Sequence, residues 1–210
     1  MTNSKTLSDD STLKHLDIGC FQGMLLDQSK QAGWDTYGVE LQSEAAQIAK
    51  NKHGEDRIIC GPFNELTFPH VKFDIITAID VLEHLQEPVK LIQYAYNSLE
   101  GGVLILVTPD TGSLIARLMG RKWFAYAAPE HIFYFNRKCI KNLLSENGFS
   151  DIKISYNIKR LKISYVLYQL QFFGKEIYRK YGKILGKMPS FIQNIELPFY
   201  GGEMFVIAKK

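Results

Sequence analysis

Short apolar runs alternate with stretches whose apolar residues recur at helical spacing. Lys14–Ile18, Asp35–Glu40 and Arg57–Cys60 read as strands. Phe73–Ile79 is almost continuously apolar, the pattern of a strand buried on both faces. Between them, Met24–Ala32 has helical period, and Ser43 is expected to cap a helix running to His53. Glu87–Leu99 is a further helix with Pro88 in its first turn, stopped by Glu100-Gly101-Gly102. Val103–Thr108 is the next buried strand, ended by Pro109.

Strand and helix in alternation predict an α/β fold, a Rossmann-like doubly wound sheet. Right-handed crossovers then bring the carboxyl ends of the parallel strands to one edge. Beyond Pro109 the pattern changes. Gly112–Gly120 is a short helix, and Arg121–Phe135 is rich in aromatic residues. Asn136 caps a helix to Asn147, which Gly148 terminates, and Ile152–Tyr156 is a strand. Residues 158–188 show helical period, with Ile163, Leu167 and Leu170 on one side and lysines and arginines on the other. They are read as a C-terminal helical insertion before a last strand, Met204–Ala208. The 210 residues suit a single domain, 1–210.

Charge adds a second pattern. Residues 152–210 hold 11 Lys and Arg against 3 Asp and Glu, although the whole chain is only +3. A basic region on an acidic body points to an anionic partner or to a solvated helix face. Segment 158–188 therefore stays open between a lid, a homodimer face and a peripheral membrane contact. No apolar leader segment is visible at the polar N-terminus, no run is long enough to span a bilayer, and Cys20, Cys60 and Cys139 are scattered. A reducing cytoplasm is the expected location.

The candidate chemistry begins at HLDIGCFQG, residues 15–23. Gly19 permits a sharp turn after the first strand, and Gly23 lets the following helix pack close to the sheet. Glu40 ends the second strand, where an acid accepts hydrogen bonds from ribose hydroxyls. A dinucleotide's pyrophosphate calls for G-x-G-x-x-G, and Phe21 stands where the middle glycine would be. The arrangement suits a cofactor with a ribose and no phosphate.

LDIGCFQG, GVE, FDIITAIDVLEHLQEP and LEGGVLILVTPD, in that order, together resemble the class I S-adenosylmethionine-dependent methyltransferases. PEHIFYFNRKCIKNLLSENGFSDIKI is similar to the C-terminal half of the branch with D-x-x-E-H after the fourth strand. The resemblance implies a seven-stranded sheet, mostly parallel with an antiparallel last strand, and S-adenosyl-L-methionine as cofactor. It places Asp17, Gly19, Cys20, Phe21 and Gly23 at the cofactor's methionine end and Glu40 on its ribose. Leu41 and Phe63 fall near the adenine, and the backbone of Asp80 and Val81 faces the methionine moiety. The chain departs from the family at Phe21 and at Cys60–Phe63, which offers no Asp to the adenine amine.

Asp80, Glu83 and His84 are read as a strand-end acid, a helix-start acid and a structural histidine, with no metal assigned; the alternative is a divalent cation held by their oxygens and one imidazole. His131, in Pro129-Glu130-His131, is the candidate general base, since histidine's ordinary pKa of about 6.5 suits deprotonating a hydroxyl. Trp123, Phe124, Tyr126 and Tyr134 either line an acceptor pocket or pack a loop. The expected function is methyl transfer to a small molecule or glycan precursor, with O-methylation favoured and a sugar or a quinone-type phenol as acceptor. Its alternative is a non-catalytic binding or scaffold protein on the same fold. A nicotinamide oxidoreductase is disfavoured by the glycine pattern. Nucleic acid is not an expected partner, because no N/D-P-P-[YF] tetrad follows the fourth strand.

Overall fold

Leu16 and Ile18, Ile76 and Ala78, and Leu104 and Leu106 lie on adjacent strands and are all buried. Their continuous apolar character is what a sheet covered on both faces requires. The computed structural model describes residues 12–64, 67–165 and 189–210. The strands are β1 (Lys14–Ile18), β2 (Asp35–Glu40), β3 (Ile58–Cys60), β4 (Phe73–Ile79), β5 (Leu99–Pro109), β6 (Ser150–Lys162) and β7 (Glu196–Lys209). They form a 7-stranded sheet in the order β3-β2-β1-β4-β5-β7-β6. β1 to β5 pair in parallel, and β7 runs antiparallel to both β5 and β6. This is the Rossmann-like architecture expected, with its reversed last strand.

The helices are α1 (Met24–Gln31), α2 (Ser43–His53), α3 (Pro88–Ser98), α4 (Leu114–Met119) and α5 (Arg137–Glu146), with a short α6 (Ser190–Gln193) before β7. Asn136 caps α5 as its sequence predicts, its side-chain oxygen accepting from the Cys139 amide at 2.9 Å. Ser43 does not cap α2. The cap position is Gln42, and its amide is taken by the Glu40 carboxylate at 2.7 Å.

Glu100-Gly101-Gly102 does not separate helix from strand but belongs to β5, which starts at Leu99 paired with Phe73. Gly102 lies so close to the Asp74 carbonyl that no Cβ would fit, so the glycine permits the pairing instead of breaking an element. The last two strands are longer than their apolar cores suggest. Ile158 pairs with Tyr200 and Lys162 with Glu196, so 158–162 continue β6 and are not helical. Residues 163–165 are helical, and the rest of the expected insertion, 166–188, lies outside the described residues. No helix among the described residues is long and apolar enough to cross a membrane.

Candidate active site

The register places Ile18 beside both Val39 and Ala78, so β1, β2 and β4 finish together. The turns that follow them meet at one edge. Gly19, at φ +79°, is pressed against Val81: an added Cβ would lie 2.5 Å from the valine Cγ2. Loop and turn thus touch through a position that only glycine can occupy.

The amides of this loop are turned inward. Gly19 and Cys20 both donate to the Val39 carbonyl at 2.8 and 3.0 Å, and Gly23 donates to Cys20 at 2.8 Å. Phe21 donates to Glu40 Oε2 at 2.8 Å. These four amides are consumed by the protein, so they are not open to a pyrophosphate. Glu40 is buried and receives one amide on each oxygen, from Phe21 and from Gln42. A carboxylate has about four acceptor positions, so roughly half of its capacity remains for ribose hydroxyls. Phe21 adopts φ 49° and leaves its ring 49 % exposed. It takes the left-handed backbone that the missing glycine would supply.

Asp17 lies below the loop with its carboxylate buried, accepting the Thr77 hydroxyl at 2.5 Å. Burial pushes its pKa up to about 7, opposed by the Thr77 bond and reinforced by the neighbouring Glu40. Cys20 is buried as well, and its thiol is pushed up to about 12 by burial and by the charges of Asp17 and Glu40. It is a packing residue here, in contact with the core through Leu26 and Ile58. Leu41 projects at 71 % exposure from the end of β2. Phe63 is half-buried, its ring edge-on to Tyr94 at 5.1 Å.

At the end of β4, Asp80 holds φ 54° and Val81 leads into a 3-10 turn, Leu82–His84. Partial burial raises the Asp80 pKa, against the pull of Lys159, whose ammonium lies 3.6 Å away. Lys159 also pairs with Glu203 at 2.8 Å. Neither residue was singled out from the sequence. Lys159 falls where the pattern reads as helix, and only the β6–β7 pairing turns it toward Asp80.

The turn does not gather Asp80, Glu83 and His84 as one group. Ligand atoms of Glu83, His84 and His131 instead lie within 4.8 Å of one another. The main-chain carbonyl of Glu83 accepts the amides of Ile132 and Phe133 at 2.9 and 3.1 Å, docking the loop that carries His131. The Glu83 side chain is 1 % exposed, with Oε2 accepting from the Thr108 hydroxyl at 3.0 Å and Oε1 without a partner among the described residues. Burial raises its pKa. His84 Nδ1 faces the Glu130 carbonyl at 2.9 Å, and His131 Nδ1 faces the Ala125 carbonyl at 2.7 Å. A carbonyl only accepts, so each neutral ring carries its proton on Nδ1 and keeps the lone pair on Nε2. The ring centroids are 4.7 Å apart. One carboxylate and two imidazoles could hold a divalent cation, and each imidazole can take up a proton.

The aromatic segment divides. Trp123 is buried and donates to the Gly201 carbonyl at 2.9 Å, which makes it a core residue. Phe124, Tyr126 and Tyr134 stay partly exposed, and Tyr134 lies 6.5 Å from His131 between ring centres. These are the members of the group that can face an acceptor.

A family model described as a methyltransferase domain matches residues 3–154. Among curated proteins, the ubiquinone biosynthesis O-methyltransferase of Actinobacillus pleuropneumoniae serotype 5b is 30 % identical over 90 residues, 38 % of each chain. The chain thus spans about two fifths of that relative's length. Among solved structures, an S-adenosylmethionine-dependent methyltransferase of Archaeoglobus fulgidus aligns with a TM-score of 0.62 at 19 % identity, covering 95 % of this chain and 87 % of the other. The magnesium protoporphyrin IX methyltransferase of Synechocystis PCC 6803, with bound SAH, aligns with a TM-score of 0.57 at 18 % identity, covering 95 % and 74 %. At such identities the two structures establish a shared fold.

Proposed function

The chain belongs to this methyltransferase family, and on that premise we propose that it transfers a methyl group from S-adenosylmethionine to an oxygen of a small molecule. The observation that carries the reading is the fate of the loop amides. Gly19, Cys20, Phe21 and Gly23 are spent within the protein while Glu40 keeps acceptor capacity, which suits a nucleoside without phosphates. Glu40 would hold the ribose, Phe63 and Leu41 would border the adenine, and Asp17 would lie beneath the cationic methionine end. The cofactor supplies an electrophilic methyl on a sulfonium.

His131 acts as the base. With Nδ1 facing the Ala125 carbonyl, its Nε2 lone pair would accept the hydroxyl proton of an acceptor, while bound S-adenosylmethionine would supply the methyl group and leave as the neutral thioether. The reading needs no metal. The names of the curated relatives support oxygen as the receiving atom. Phe124, Tyr126 and Tyr134 would flank a ring-shaped acceptor, a sugar or a phenol. Segment 158–188, whose basic residues stand opposite an apolar stripe in the sequence, would make a peripheral contact with an anionic membrane surface, which flotation with anionic liposomes tests; a homodimer face is the alternative for the same segment.

Calorimetry with S-adenosylmethionine and S-adenosylhomocysteine tests the core of this reading, and saturable binding of both is expected. Transfer of labelled methyl to a panel of phenols and sugars then identifies the acceptor. Binding of neither nucleoside would leave the non-catalytic alternative on this fold.

A further inference from the structure

Beneath the loop runs a line of buried polar groups that the proposed chemistry does not use directly. His15 on β1 is 2 % exposed, and burial drives its pKa down to about 4, so the ring stays neutral. Its Nε2 lies 2.9 Å from Thr77 Oγ1, and its Nδ1 lies 2.8 Å from Ser29 Oγ on α1. Thr77 Oγ1 is also 2.5 Å from Asp17 Oδ1, and Ser29 Oγ reaches the Leu25 carbonyl at 3.5 Å.

Counting hydrogens along this line leaves two arrangements. Thr77 has one hydroxyl proton and two neighbours. If Asp17 is ionised, Thr77 donates to it, His15 must donate from Nε2, and Ser29 donates to Nδ1. If Asp17 is protonated on Oδ1, the oxygen that faces Thr77, it donates to Thr77, which donates to His15 Nε2. His15 then donates from Nδ1 to Ser29, and Ser29 turns to Leu25. A neutral imidazole carries one proton, so for a proton held on the Oδ1 side a mixed arrangement leaves a buried group of the line unpaired.

We infer that Thr77 and His15 are positioning residues that lock the His15 tautomer to the protonation of Asp17, and that the cofactor's cationic end expels one proton from Asp17 when it binds. The second half rests on the proposed cofactor; the first does not. The other ionisable groups facing Asp17 are Glu40 from β2 and the Cys20 thiol from the loop, and Glu40 favours the protonated form. Around His15, the remaining contacts are Ser29 from α1 and the edge of Trp34 at 6.2 Å.

The experiment is long-range proton–nitrogen correlation NMR on the full chain with ¹⁵N-histidine, free and with S-adenosylmethionine, from pH 5.5 to 8.5. In the free protein His15 is expected to pass from the Nδ1–H to the Nε2–H tautomer as pH rises. Thr77→Val, which keeps the shape and removes the bridge, is expected to abolish the passage, and Thr77→Ser to restore it. Asp17→Asn is expected to make the tautomer independent of pH. A single His15 tautomer throughout the range in the folded wild type would overturn the inference, as would a passage that survives in Thr77→Val. Calorimetry of cofactor binding in buffers of different ionisation enthalpy at pH 6 is expected to count close to one released proton. Binding with no proton released overturns the second half. A tautomer passage without any cofactor binding upholds the linkage and removes the proposed cofactor.

Discussion

Phe21 donates its main-chain amide to Glu40 while its own backbone holds a left-handed φ of 49°. The chain accepts an unfavourable conformation at a phenylalanine while its amide holds the Glu40 carboxylate in place. Left-handed backbone costs an L-residue about 1–2 kcal/mol, and a glycine there adds back roughly 0.5–1 kcal/mol of unfolded-state entropy. Phe21→Gly is therefore expected to raise stability by about 0.5–1 kcal/mol in urea denaturation. Cofactor affinity should stay within about twofold, since the amide and not the ring serves the site.

Glu40→Gln tests the other partner. The amide that replaces one oxygen cannot accept from Phe21 or Gln42, so one of the two main-chain bonds is lost with the ribose contacts. Charge-assisted bonds of this kind contribute about 1.5–3 kcal/mol, so S-adenosylhomocysteine affinity is expected to fall roughly 10- to 150-fold by calorimetry.

The paired titrations of Asp17 and His15 predict an unusual pH profile. Asp17 has a folded pKa raised from 3.8 to about 7, so its contribution to stability is full below pH 3.8 and is lost as pH rises to about 7. His15 has a folded pKa lowered from 6.5 to about 4, so its contribution is full above pH 6.5 and is lost as pH falls to about 4. Between pH 4 and 6.5 the two slopes oppose one another and nearly cancel. Asp17→Asn removes one of them and is expected to uncover a loss of roughly 3 kcal/mol across that window, an upper figure from about 1.4 kcal/mol per pH unit. Chemical denaturation at stepped pH measures it.

His131→Ala is expected to lower turnover about 10²- to 10⁴-fold while leaving cofactor affinity within about twofold. Unchanged turnover would remove His131 from the mechanism and leave positioning as the source of rate. His84→Ala, beside it, is expected to cost less, because its turn is held by main-chain bonds, from the His84 amide to the Val81 carbonyl and from the Leu85 amide to the Leu82 carbonyl.

The parallel half of the fold was legible because local pattern and tertiary need agree there. Asp35–Glu40 and Phe73–Ile79 are strands by composition and by burial alike. The C-terminal half was less so. Ile158 and Leu161 stand at helical spacing, yet pairing with Tyr200 and Leu197 makes them strand. Tertiary partners outweigh weak local preference at such places. The glycine turn after β1 and the acid that ends β2 were readable from spacing, whereas the meeting of Glu83 with His131 depends on a loop, and that of Lys159 with Asp80 on the β6–β7 pairing, neither of which spacing describes. Ser43 does not cap because α2 begins one residue earlier, the Ala46 amide donating to the Gln42 carbonyl, which places Ser43 inside the first turn.

The loop bearing His131 is fastened through the Glu83 carbonyl, which takes two amides at once. That fastening has no side chain, so residue 83 can be rewritten without releasing it. Variants at this position should separate chemistry from architecture: the carboxylate can be exchanged while these two main-chain bonds keep the histidine moored.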